Sequence, residues 1–238
     1  MVLYFYQTLC SVTYRRLDMK QTVKKDFKFD KRAEKYDDHF EGKLSKVFYQ
    51  LIYENIDLPD SAEVLDVGCG TGTILKGLAQ NHNIKGHGID VEPAMIKIAK
   101  EKCADMDIQL CSCDSTPFAD VTFDAIVACM AYHHFPDKRA FEKEAYRILK
   151  SGGRLYIADP NFPKPIRKII NFLVRNLNGE FFSSDEIIER FKQAGFLPLD
   201  VKKKKYGQLV IMQKSVHLLQ EPSPLVVGQV FVFRALEC

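Results

Sequence analysis

The sequence predicts an α/β fold, a doubly wound parallel sheet with helices on both faces. Three observations carry this. Short apolar runs alternate with segments of helical period from residue 63 to residue 159. The first run, Glu63–Val67, passes straight into a glycine-rich turn, Asp66-Val-Gly68-Cys-Gly70-Thr-Gly72. The run Phe123–Cys129, FDAIVAC, is almost unbroken in its apolarity, as a strand covered on both faces requires.

The elements follow in order. Leu44, Val47, Phe48, Leu51 and Ile52 repeat at the i, i+3, i+4, i+7, i+8 spacing, which predicts an amphipathic helix over 41–56. The break at Leu58-Pro59-Asp60 ends it. Glu63–Val67 is the first strand and Thr73–Gln80 the helix behind it. Lys85–Asp90 is the second strand, and the next helix starts at Pro93, since proline suits the first helical position. Ile108–Cys111 and Phe123–Cys129 are the third and fourth strands. Phe141, Ala145, Ile148 and Leu149 mark one helical face that stops at Ser151-Gly152-Gly153, and Arg154–Asp159 is the fifth strand. Strands alternating with helices at this spacing imply parallel pairing through right-handed crossovers.

Beyond residue 160 the pattern changes. Asn161–Asn178 carries Phe162, Ile166, Ile169, Ile170, Leu173 and Leu177 at helical spacing, with Lys164, Arg167, Lys168 and Arg175 largely opposite. Ser183-x-x-Glu186 is a capping box opening a further helix. Leu197–Lys205 and Gln208–Met212, joined through Tyr206-Gly207, read as a hairpin whose lysines at 202–205 suit an exposed edge. The chain thus divides into an N-terminal extension (1–18), a helical cap (19–58), a ligand-binding domain (59–214) with lid helices at 161–195, and a C-terminal tail (215–238). Met1–Asp18 is expected to be an appendage from an upstream start codon, because a more ordinary polar sequence opens at Met19. Residues 1–14 are apolar, but the positive charge of Arg15 and Arg16 follows them rather than leading, unlike a signal peptide.

Composition narrows the class. The 238 residues hold 34 Lys+Arg against 31 Asp+Glu, a net charge of +3, a weak footprint for a nucleic-acid binder. Seven cysteines without a C-x-x-C pair fit free thiols in a reducing cytoplasm. Cys111-x-Cys113 has no second Cys or His pair at zinc spacing, so no metal is expected.

The glycine turn needs its glycines to reverse sharply and to let a ligand approach the backbone. A dinucleotide fingerprint, G-x-G-x-x-G, is one reading, but the third glycine comes one place early and Thr73 stands where it belongs. The G-K-[ST] of a P-loop is missing. Asp90 closes the second strand, placed for the two hydroxyls of a ribose. Asp114-Ser115 follows the third strand, where a carboxylate suits an adenine amino group, and Val91 and Met95 offer apolar contact to the rings. Each acid alone also reads as a loop cap.

These segments resemble the class I S-adenosylmethionine-dependent methyltransferases. The resemblance runs from about Phe29 to Lys214 through VLDVGCGTG (64–72), GIDVEPAMIKIAK (88–100), CDSTPF (113–118), FDAIVACMAYHHFPD (123–137) and RILKSGGRLYIAD (147–159). Within the class it is nearest the small-molecule enzymes resembling those of ubiquinone and menaquinone biosynthesis. The resemblance implies a Rossmann-like seven-stranded sheet of order 3-2-1-4-5-7-6 with strand seven antiparallel. It further implies that Asp66 with Gly68, Cys69, Gly70, Thr71 and Gly72 holds the methionine part of S-adenosylmethionine, Asp90 the ribose, and Asp114 with Ser115 the adenine. Cys129 would line the ligand through its backbone, and Tyr36 would close over it or pack the N-terminal helix.

His133 and His134 follow the fourth strand, where a group titrating near neutrality suits proton transfer; the alternative is that they shape the loop. Ala128-Cys-Met-Ala-Tyr132 replaces the N/D-P-P-Y/F motif of amino-methylating nucleic-acid enzymes, and no proline precedes a cysteine. A small-molecule acceptor is expected, with no nucleic acid. The 161–182 insertion reads as a lid over an apolar acceptor. Its basic residues, Arg167 and Lys168 among them, would face an anionic membrane surface, or the helix is a plain cap. A non-catalytic binding module and a nicotinamide oxidoreductase are the rival functions.

Overall fold

The computed structural model describes residues 40–175 and 179–215. Tyr36, the 1–18 extension and the tail from 216 onward lie outside them. The chain runs α1 (Phe40–Tyr53), β1 (Ala62–Val67), α2 (Thr73–Ala79), β2 (Ile84–Asp90), α3 (Pro93–Lys102), β3 (Asp107–Leu110) and β4 (Phe123–Cys129). A short 3₁₀ turn (Tyr132–His134) leads to α4 (Lys138–Ile148) and β5 (Leu149–Pro160). Then come α5 (Lys164–Val174), α6 (Ser184–Gln193), β6 (Phe196–Lys204) and β7 (Gly207–Lys214).

The seven strands form one sheet of order β3-β2-β1-β4-β5-β7-β6. Its pairs are parallel from β3 to β5, while β7 runs antiparallel to both β5 and β6. The expected order and the antiparallel strand are both present.

Alternation along the central strands builds two cores. Val64, Ala125, Val127, Tyr156, Ala158, Leu209 and Ile211 face α1, α2 and α3, packing with Phe48, Leu51, Leu75 and Ala99. Leu65, Ile126, Ala128, Leu155, Ile157, Val210 and Met212 face α4 and α6, meeting Phe141, Ala145, Ile187 and Phe191. This two-sided cover explains why β4 reads as one apolar run. Helix α1 lies across β5, β7 and β6, and its Phe48 ring sits 5.9 Å from that of Tyr206 in the hairpin turn.

One boundary differs from the expectation. Helix α4 ends at Ile148 and the chain pairs with β4 at once, Leu149 opposite Phe123, before the register shifts to Arg154 opposite Ala125. The glycines that look like a helix stop instead carry this bulge. Gly152 has φ 76°, and a Cβ on Gly153 would stand 2.9 Å from the Lys150 carbonyl and 3.0 Å from that of Asp124. The edge strand β6 behaves as expected. It exposes Leu197 and Leu199, and its register shifts between Pro198 and Asp200, where proline has no N–H to contribute.

Gly153→Ala forces a methyl group onto two backbone carbonyls. It should lower stability by about 1–3 kcal/mol, seen as an earlier denaturant midpoint at unchanged slope. An unchanged midpoint would show that the bulge tolerates a side chain.

Candidate active site

The carboxyl ends of β1 to β5 converge on one edge of the sheet, and the connections leaving them place an acid at nearly every step. Asp66 lies in β1, 1% exposed, with both carboxylate oxygens buried and, among the described residues, unbonded. Burial, then the charge of Asp90, pushes its pKa up to about 8. A carboxyl group in that position remains largely protonated at neutral pH until a cation arrives.

Above it the glycine turn folds back onto β2. Gly68 and Cys69 donate their N–H groups to the Ile89 carbonyl at 2.8 and 3.0 Å. The Asp90 carboxylate accepts from Gly70 N–H and Glu92 N–H, both at 2.9 Å, so one acid joins the turn to the start of α3. Burial still raises the Asp90 pKa, the backbone bonds opposing it. Each oxygen keeps a lone pair for a ribose hydroxyl. Gly68 is required twice over: its φ is 74°, and a Cβ there would lie 2.6 Å from the Ala131 Cβ. The glycine turn therefore rests directly on the segment after β4.

The remaining expected residues fall around this edge. The Thr71 hydroxyl is 3.1 Å from that of Thr73, and Lys102 Nζ donates to both; Thr71 thereby secures the turn to α3. Cys69 and Cys129 are buried, and burial pushes both thiols up, out of thiolate range. Val91 is exposed and Met95 half-buried. Asp114 is half-buried and Ser115 exposed, in a loop held by Thr116, whose N–H and hydroxyl both donate to Glu144 of α4. The Cys111 thiol donates to carbonyls of that same loop.

The two histidines separate. His133 is fully buried, its backbone N–H donating to Asp159 Oδ2 at 3.0 Å and its ring Nδ1 lying 2.9 Å from Asp159 Oδ1. A carboxylate only accepts, so Nδ1 carries a proton, and in the neutral ring Nε2 is the nitrogen left with a lone pair. That Nε2 is buried and unbonded among the described residues. Phe181 stacks on the ring at 4.6 Å, and the Glu180 N–H donates to the His133 carbonyl. His134 has no such anchor; burial and then the neighbouring His133 and Lys138 hold it well below the usual histidine range.

Sequence reading passed over Asp159. Acids end β1, β2 and the β3 connection, and extending that count to β5 would have found it. It also missed the clamp behind the 3₁₀ turn. The Tyr132 hydroxyl donates to Glu142 at 2.7 Å, and Arg190 Nε of α6 donates to the same carboxylate at 2.7 Å. A groove of about 370 Å³ lies between α5 and α6. Arg167 pairs with Glu186 there and Arg190 with Glu142, making it an ion-paired helix seam outside the strand-edge site.

Comparison with known proteins agrees with this geometry. A family model described as "Methyltransferase domain" matches residues 65–157, from β1 to β5. A demethylmenaquinone methyltransferase of Thermotoga maritima is 28% identical over 200 residues, covering 71% of this chain and 86% of that one. A 2-methyl-6-phytyl-1,4-hydroquinone methyltransferase of Synechocystis is 34% identical over 128 residues, covering 52% of this chain but only 40% of its own. Among solved structures, an S-adenosylmethionine-dependent methyltransferase of Aquifex aeolicus superposes with TM-score 0.62 at 23% identity, covering 78% of this chain and 98% of that one.

With the glycine turn, the edge acids and the strand order in place, residues 65–157 form a methyltransferase domain, in a fold shared with S-adenosylmethionine-dependent methyltransferases. Within that class it resembles the methyltransferases of ubiquinone and menaquinone biosynthesis. The unbonded Asp66 fits this ligand, whose cationic groups would compensate a buried carboxylate.

Because folding raises the Asp66 pKa, ionised Asp66 costs stability, increasingly so from about pH 4 to pH 8. Asp66→Asn should therefore stabilise the ligand-free protein by about 1–3 kcal/mol near pH 8, with the gain shrinking toward pH 5. The same variant should bind S-adenosylhomocysteine at least roughly tenfold more weakly. Thermal unfolding across pH, with and without that ligand, checks both; a destabilised Asp66→Asn at pH 8 would remove this account.

Proposed function

We propose that the chain methylates a small apolar acceptor bearing an ionisable hydroxyl, with His133 as the group that takes the hydroxyl proton. The supporting observation is the buried His133–Asp159 pair, which leaves Nε2 unbonded beside an aromatic lid. Relatives bear on the acceptor class through their names: demethylmenaquinone, a phytyl hydroquinone and a sterol are all apolar ring compounds.

S-adenosylmethionine supplies a methyl group that its sulfonium already makes electrophilic. The chain's own residues then have three tasks. Asp66 and the 68–72 turn would hold the methionine part, Asp90 the ribose, and Asp114 with Ser115 the adenine, flanked by Val91, Met95 and the Cys129 backbone. The buried edge excludes water, and an acceptor held in line with the breaking bond gains on the order of 7–11 kcal/mol from positioning.

The third task is proton transfer. His133 Nε2 accepts the hydroxyl proton, leaving a phenolate-like oxygen whose electron pair, on oxygen or delocalised to a ring carbon, would take the methyl group that S-adenosylmethionine supplies, the carbon–sulfur electrons staying with sulfur. Asp159 keeps Nδ1–H in place and stabilises the imidazolium that results. His134, held neutral and without a carboxylate partner, shapes the turn.

A hydroquinone panel with radiolabelled methyl donor tests this. His133→Gln and Asp159→Asn should lower kcat by about 10²–10⁴-fold with S-adenosylhomocysteine affinity unchanged, and rate should recover as pH rises and the acceptor ionises unaided. His134→Ala should retain most activity. Transfer to polar amines in preference to any hydroxylated ring would overturn the acceptor class, and a fully active His133→Gln would remove the base.

A further inference from the structure

Helix α5 follows β5 directly and has a small core of its own. Ile170 and Val174 pack against Phe181, with Phe162 and Ile166 beside them. The expectation for this segment was an apolar face turned inward and a basic face outward, with Arg167 in the basic set. The inward apolar core and the exposed Lys164 and Lys168 are present, and the structure corrects individual members of each set. Arg167 is buried and donates to Glu186 of α6, so it serves the helix seam. Conversely, Ile169, Phe172 and Leu173 are 61%, 62% and 51% exposed.

The outward half of α5 is ordered by chemistry. At roughly 100° per residue, Lys164, Arg175 and Lys168 fall on one narrow strip. Phe172, Pro165, Ile169 and Leu173 continue around the helix as an adjoining apolar strip. The Arg175 guanidinium stands 4.5 Å from the Phe172 ring, where the two strips meet. No acidic residue occurs in α5. Glu180, Glu186 and Glu189 line the groove with α6, and Lys164 and Lys168 stand at its rim on the α5 side. Among the described residues, Lys164 and Lys168 form no ion pair.

We infer that this outward half of α5 docks on an anionic lipid surface, its apolar strip entering the acyl boundary and its cations meeting the headgroups. Apolar residues beside lysines and arginine on one helix face, with no acid among them, match the charge and layering of such a surface. The position carries a consequence. Phe181 touches α5 on one side and stacks on His133 on the other. The docked helix is thus one side-chain layer from His133. Docking itself does not depend on what the site methylates.

Co-sedimentation of the full chain with vesicles tests it, comparing phosphatidylcholine alone with phosphatidylcholine containing about a third phosphatidylglycerol. The wild type should bind the anionic vesicles and release them in high salt. Phe172→Ser/Leu173→Ser and Lys164→Ser/Lys168→Ser should each lose roughly tenfold or more in partitioning. Both variants should keep their thermal stabilisation by S-adenosylhomocysteine, which separates a lost surface from a lost fold or a mistaken cofactor site. Equal binding to both vesicle types, wild-type binding by the variants, or no binding at all would overturn the proposal. So would self-association of the wild type that disappears in Phe172→Ser/Leu173→Ser, since a second copy would then own the face.

Discussion

The side chain of Asp66 is buried beneath the glycine turn with neither oxygen bonded among the described residues, and the site's architecture depends on keeping it there. An unpaired buried carboxylate works against folding, so the surrounding structure must hold it without help from that group. Asp90 does this for the turn by accepting Gly70 and Glu92 N–H groups. Ala131 does it from the other side by filling the space that Gly68 leaves open.

A second carboxylate, Asp159, works in the opposite sense. It is fully engaged, accepting from both the backbone and the ring of His133, and its effect is to leave one nitrogen free. Two buried acids, on the strands that flank β4, thus have different consequences because among the described residues one has donors and the other has none. The first suits a cation, and the second fixes the His133 ring. Behind that ring, the Tyr132–Glu142–Arg190 cluster fixes the turn to α6, while Phe181 joins it to α5. The chemistry at the strand edge and the outer surface of the lid share these few side chains.

The comparisons and the packing divide the chain at the same place. The family match spans β1 to β5, the part that carries the glycine turn and the edge acids. Helices α5 and α6 and the β6–β7 hairpin lie beyond it, and Arg167, Phe181 and the exposed strip of α5 stand there.

Much of this was legible in the residues themselves. Alternating periods mark the parallel strands and their helices, and the glycine spacing with Asp66, Asp90 and Asp114 marks the binding edge, because backbone conformation and strand-end position are local properties. The role of the Gly152-Gly153 pair was not legible, since a helix stop and a strand bulge use the same residues and differ only in what lies opposite. Nor could sequence separate His133 from His134. They are adjacent in the chain, but only one faces Asp159, 26 positions on. Arg167 and Phe172 exchanged their expected places for the same reason: helical period orders residues around an axis, and only packing against α6 and Phe181 sets which way that axis is turned. Sequence alone determined the fold class and the donor. Tertiary structure decided which histidine is oriented, which acid is left unpaired and which face of the lid meets solvent, because each depends on partners brought together from distant positions.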